Sequence, residues 1–368
     1  MTTSTLERQE RNTEKQRPLW QSMLKVTWIQ HRVSLIVMVG IFGLVGALMI
    51  VTGTSVHGDY AKYLSDKCSN FGNSPFNRNE CSALGTQILQ SQNILTVIDI
   101  VMHVIPMVIA MFIGAPLVAR EFESGTYQFA WTQGTPRSSW IAMKLLFLGV
   151  IVVVLAIPLG LIASWWAQPA NAIGFVSHWQ AGQFGATAMT FPVICLTGLI
   201  AGVLIGSFLK KVVSAIATTG LVVGGFVLGI FAYLDNAIFS IHTSATTWYP
   251  SDGNIGVANR YNQAGFGPKG TWGGWLVDIW YQGANGVHFG TAQGIKIMNR
   301  LFTDYANKTQ VEPPKAELAW LASHHYSFWI SYQPANQFWI TQSVEVAVVL
   351  AIGFILFRVT MKVIGKFD

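Results

Sequence analysis

The chain has 368 residues, 51% of them hydrophobic and only 11% charged, with a formal net charge of +6. So few charges exclude a disordered chain and leave too little polar surface for a soluble enzyme, since about a quarter of an ordinary soluble domain is charged. A mean hydropathy of +0.42, with 35 Gly and 13 Pro, also argues against a wholly buried bundle and fits a membrane protein with sizeable polar loops.

Residues 1–17 are polar, so no signal peptide is expected there. Pro18 suits a helix start, and Leu19 to Arg32 reads as a basic amphipathic helix lying along the inner interface, although Thr27, Gln30 and His31 break its apolar stripe. A plain basic flank that only fixes topology reads equally well. Six apolar stretches then reach membrane-spanning length: 33–51, 94–118, 140–165, 184–208, 212–234 and 339–363. The expected fold is an all-α integral membrane protein with six transmembrane helices. Its organisation is a cytoplasmic N-terminus (1–32), spans one to five (33–234) with an outer loop at 52–93, an extracellular subdomain (235–338), and the sixth span with a basic tail (339–368).

Charge orients the bundle. With the N-terminus inside, the inner segments hold 14 of the 23 basic residues against six acids. The outer loops hold nine of each, and only Asp99 and Glu345 fall within spans. Both termini are therefore expected in the cytoplasm. The positive charge is a matter of topology, and nucleic-acid binding is not expected.

Within the spans, Pro106 and Pro158 favour kinks. Gly198, Gly202 and Gly206 form two overlapping GxxxG patterns, and Gly220/Gly224 and Gly225/Gly229 two more. Such spacing lets helices approach closely, either within one subunit or at a homodimer seam. Asp99 and His103 share a face of the second span, and Glu345 lies about two turns into the sixth. Ionisable groups in lipid are costly, so these three are candidates for a translocation path or proton relay. A buried hydrogen-bonded cluster is the alternative.

Outside, Cys68 and Cys81 are a disulfide candidate if that face is oxidising. The segment 235–338 is too long for a mere connection and is expected to hold helices at 291–302 and 315–329. His324 and His325 are adjacent, which is poor ligand geometry, and no metal site is expected. The chain has no GxxxxGK[ST], HExxH or GxSxG; the nearest phosphate-loop string, 265–271, has the wrong spacing. No enzymatic activity is expected of it.

The most informative segment runs from Ala119-Arg120-Glu121-Phe122-Glu123-Ser124-Gly125-Thr126-Tyr127 through Trp131-Thr132-Gln133 to Arg137 and Lys144-Leu145. Physically, a span exits at Ala119, an acidic pair opens a short helix, and Gly125-Thr126 bends it. An aromatic piece then follows. Such an elbow at 119–139 is a docking surface, though an ordinary loop fits as well.

This segment resembles the permease subunits of ABC-type exporters, the class that includes drug, antibiotic and polysaccharide exporters. Arg120, Glu121, Glu123, Gly125, Thr126, Thr132, Gln133, Arg137, Lys144 and Leu145 carry the match. Tyr332-Gln333-Pro334-Ala335 with Phe338-Trp339 and Glu345 is similar to the entry to the last span in members of the actinobacterial type. The resemblance implies a half-transporter in a bacterial plasma membrane. It would pair with a second permease copy, most simply as a homodimer, and with a separate cytoplasmic ATPase subunit that binds ATP and Mg²⁺. This chain would bind no cofactor itself, and its cargo would be a hydrophobic or amphipathic, multidrug-like substrate. The resemblance places ATPase coupling at Arg120, Glu121, Glu123, Gly125, Thr126, Tyr127, Trp131 and Arg137, with a second contact at Lys210 and Lys211, and makes the N-terminal helix a connecting helix. Two other functions compete: a proton-coupled secondary transporter using Asp99, His103 and Glu345, and a non-transporting sensor or assembly protein with a ligand-binding external domain.

Overall fold

A computed structural model describes residues 19–65, 84, 87–88, 92–128, 137–172, 185–229, 244–248, 275–282, 288–289, 292–309, 320, 323–325, 327–333 and 337–366. Cys68, Cys81 and Trp131 lie outside the described residues.

The first element, α1 (Leu19–Ser65), is one helix of 47 residues. The expected interfacial helix is therefore not a separate element. No Gly or Pro interrupts 19–39, so the helix runs straight into the span. The expected outer loop is also shorter, because the helix continues past 51 to Ser65. At 1.5 Å per residue α1 is about 70 Å long, well beyond a bilayer of about 45 Å including headgroups. Its far end is tied to the bundle: His57 stacks on Trp165 at 4.4 Å, and the Trp166 indole N–H donates to Thr52 Oγ1 at 2.8 Å.

The second span is built of three pieces: α2 (Gln92–Ile109), a π-helical turn (Ala110–Gly114) and α3 (Ala115–Ser124). Pro106 lies inside α2 without ending it, and the regular ladder changes one turn later. Next come α4 (Arg137–Ala172), α5 (Thr190–Leu209) and α6 (Val212–Gly229). Five helical stretches, Thr27–Ser65, Val97–Ser124, Ser138–Pro169, Thr190–Leu209 and Phe338–Gly365, are long and apolar enough to cross a membrane. At about 27 Å, α6 is an apolar helix just short of that length over its described residues.

The helix α5 is central. It packs against α2, the π-turn, α3, α4 and α6, and against α8 (Phe338–Gly365). Its glycines make this possible. A Cβ on Gly202 or Gly206 would fall against the carbonyl oxygen of Ala110 or Ala115, and one on Gly198 would lie 3.0 Å from the Pro106 carbonyl. The GxxxG face of α5 is thus taken up by close packing inside the subunit, the first of the two readings of that spacing, and not by a homodimer seam. The surrounding core includes Met49, Met102, Leu117, Ile141, Leu148, Trp166, Phe191 and Leu199.

The segment between α6 and α8 departs from the all-α expectation. It carries β1 (Ser244–Trp248), β2 (Trp275–Gln282), β3 (His288–Phe289), α7 (Ala292–Thr309) and β4 (Ser327–Gln333). The strands form an antiparallel sheet in the order β1-β4-β2-β3, with Ser244 opposite Tyr332 and Trp280 opposite Trp329. A register irregularity lies between Leu276 and Asp278. The helix expected at 291–302 is present and longer. Of the one expected at 315–329, residues 315–319, 321–322 and 326 lie outside the described residues, 320 and 323 are helical, and its end is corrected: Ser327–Gln333 sets Phe328, Ile330 and Tyr332 on one side and pairs as the strand β4.

Candidate functional site

At the end of the bundle where α3 stops, α4 begins and α5 turns into α6, the acidic pair of the elbow is divided between two helices. The pair does not open a helix as expected; it sits in the last turn of α3, whose end is set by Gly125 at φ 72° with its N–H on the Phe122 carbonyl. A carboxylate there gains nothing from its own helix dipole. Glu121 turns inward and forms an ion pair with Lys144 of α4. Both are shielded, with side chains 12% and 5% exposed. The Lys144 ammonium also donates to Gln30 Oε1 of α1 at 3.3 Å and lies 4.4 Å from the centre of the Trp140 ring. One lysine therefore joins α1, α3 and α4.

Glu123 serves a different partner. Its Oε2 accepts the Val212 N–H at 2.9 Å, which places a negative charge on the first turn of α6. The short α5–α6 turn is held by Lys210 in the left-handed region, φ 55°, with its N–H on the Gly206 carbonyl at 3.1 Å. The Lys210 ammonium lies 5.7 Å from the Phe122 ring centre, and Phe122 packs on Tyr127 at 5.0 Å. Arg120, Thr126, Gln128 and Lys211 are exposed, Tyr127 is partly so, and Arg137 opens α4. The residues expected to form one docking face therefore divide into staples between helices (Glu121, which is shielded, with Glu123 and Lys210, which are exposed) and an outward set (Arg120, Thr126, Tyr127, Lys211).

Glu123→Ala is expected to loosen the start of α6 by about 1 kcal/mol, the usual cost of losing a cap. Amide hydrogen exchange at 212–215 is expected to speed up severalfold, while Glu123→Gln retains most of the protection. Unchanged exchange in Glu123→Ala would show that the contact is idle.

The second candidate group lies within the span region. His103 Nδ1 bonds the backbone carbonyl of Asp99 at 2.7 Å, so the pair meets through the main chain and not through the carboxylate. Glu345, 1% exposed, faces the bundle from α8. One turn before it is a residue that the sequence reading passed over: the buried Gln342, whose Oε1 accepts both Thr187 Oγ1 at 2.7 Å and Thr190 Oγ1 at 2.9 Å. Further along the seam Thr197 Oγ1 donates to the Val349 carbonyl at 3.4 Å, and a Cβ on Gly353 would meet that same hydroxyl at 2.8 Å. The signal for these residues was their spacing, since Gln342, Glu345, Val349 and Gly353 share one face of α8. Among the described residues no group of three or more His, Cys, Asp or Glu could hold a metal ion.

Residues 39–234, more than half of the chain, match the family described as ABC-2 membrane transporter related. No curated protein and no solved structure matches.

Proposed function

Because the chain belongs to the ABC-2-related membrane transporter family, we propose that it is the permease subunit of an ATP-driven exporter in a bacterial plasma membrane. It has six spans with both termini inside, works as a homodimer, and hands its energy coupling to a separate cytoplasmic ATPase subunit. ATP and Mg²⁺ belong to that subunit, and this chain is not itself an enzyme. The observation that carries the reading is the elbow: Glu121 ties it to α4 and α1, and Glu123 ties it to α6. A push on the exposed side of Thr126 and Tyr127 therefore reaches three helices through short polar contacts. Such a joint lets nucleotide binding favour one of two bundle arrangements, as alternating access requires. The cargo is hydrophobic or amphipathic, in keeping with a bundle whose core is largely apolar.

That seam also favours a second reading, a proton-coupled secondary transporter in which Glu345 carries the proton. Transport by the reconstituted complex separates the two. The permease reading expects uptake into inverted vesicles that needs ATP, persists without a pH gradient and survives Asp99→Asn. Uptake driven by the gradient alone, and abolished in Glu345→Gln, would replace it with the second reading.

A further inference from the structure

Between α1 and α2 lies a groove of about 450 Å³. Every side chain lining it is apolar except Ser34, and several, among them Val37, Val104 and Phe112, are exposed on the outer surface of the bundle. The π-helical turn forms its inner end, with Phe112 on the lining. An extra residue in a helical turn re-aims the side chains that follow, and such turns are frequent at functional sites.

On α2 and the π-turn the lining runs from Ile100 to Ile113, about 20 Å at 1.5 Å per residue. That length suits an extended acyl chain, to which the walls offer aliphatic and ring surface with the hydroxyl of Ser34 as their one polar group.

The inner mouth of the groove is basic. Arg120 is exposed on α3, about 10 Å beyond Ile113 along the same helical rod. Helical side chains lean toward their N-terminus, which here is back toward the groove. Its sequence neighbour Glu121 is engaged by Lys144, and Arg120 itself has no ion pair among the described residues. His31 lies two residues before the groove begins on α1 and offers a ring nitrogen, not a second positive charge. An apolar groove as long as an acyl chain, with an exposed guanidinium at its mouth, matches one kind of occupant.

We propose that the α1–α2 groove is a binding site for an anionic phospholipid of the inner leaflet, one acyl chain lying between Val37 and Val104 and the headgroup phosphate held by Arg120 beside His31. The guanidinium suits a phosphate because its fork can donate two parallel N–H bonds. The site rests on the chain spanning a membrane and is independent of ATP coupling, so transport can fail while the lipid site stands.

Native mass spectrometry of the full-length protein, exchanged from detergent into an equimolar mixture of phosphatidylglycerol and phosphatidylcholine of the same chain length, tests it. The wild type is expected to retain phosphatidylglycerol in preference. Val104→Trp, which fills the slot, is expected to lower retention of both lipids about tenfold, and Arg120→Gln to keep an acyl-chain adduct while losing the headgroup preference. Val154→Trp, on an exposed apolar position of α4 outside the groove, is expected to behave as wild type and controls for folding. Equal retention of the two lipids by the wild type, retention untouched by Val104→Trp, or a disulfide between two copies of a Val37→Cys variant would each overturn the proposal.

Discussion

Lys144→Met is expected to destabilise the protein by about 3–5 kcal/mol, one of the largest losses from a single side chain at the basic end. The reason is burial. Glu121 and Lys144 are 12% and 5% exposed, so removing the ammonium leaves a shielded carboxylate without its counter-charge. Gln30 loses its donor at the same time. Glu121→Leu is expected to cost a similar amount for the mirror-image reason. The double variant Glu121→Leu/Lys144→Met removes both charges together and is expected to recover most of the stability, since apolar replacement of a whole buried pair is often close to neutral. Thermal unfolding in one detergent across the four proteins measures this. Additive losses in the double variant would mean that the two groups act separately. The double variant also isolates function: it restores packing while removing the polar joint between the elbow and α4, so it is expected to fold yet transport poorly.

Gly202→Leu is expected to abolish the folded protein, and Gly202→Ala alone to cost about 3 kcal/mol. Any Cβ there meets the Ala110 carbonyl oxygen and lies 3.0 Å from the Ala115 amide nitrogen, both main-chain atoms that cannot rotate away. Overpacking against side chains typically costs about 1–3 kcal/mol; against backbone, two helices must separate. Gly225→Ala is the matched comparison. Nothing lies within 4 Å of a Cβ at Gly225, so there the change is expected to be neutral or to gain roughly 0.5–1 kcal/mol from helix propensity. Monodispersity on size exclusion and the unfolding temperature distinguish the two sites. Equal tolerance at Gly202 and Gly225 would contradict the packing of α5 on the π-turn.

Apart from the first, the apolar runs placed the long helices to within about seven residues at each end, because burial in lipid makes length and hydropathy nearly sufficient. They did not show that α1 is continuous from Leu19 to Ser65, since the polar residues after 51 resemble a loop when read one by one. Helix continuity there depends on contacts with Trp165 and Trp166, more than a hundred residues away. The strands β2 and β4 were missed because Gly and Trp dominate their surroundings and strand pairing is non-local. At the elbow, residue identity pointed to the right positions but not to their roles. Glu121 and Glu123 are two residues apart, so they face different neighbours on α3, and only the packing of α4 and α6 tells which is which. Gln342 was passed over for a related reason. Its spacing from Glu345 was the one signal, and its meaning comes from Thr187, just before α5, and Thr190 at its start.

The most direct measurement is ATP hydrolysis by the complex purified through this chain, compared between wild type and Gln128→Arg. Gln128 is exposed in the elbow and, among the described residues, bonds only Gly125 and Tyr127, through its amide N–H to the Gly125 carbonyl and its side chain to the Tyr127 hydroxyl, so the variant is expected to fold and melt as wild type. Wild type is expected to bring down a subunit carrying the GxxxxGK[ST] loop absent from this chain and to hydrolyse ATP. Gln128→Arg is expected to lose both. A folded Gln128→Arg protein that keeps its ATPase and its activity, or a wild type that transports with no such subunit bound, would contradict it.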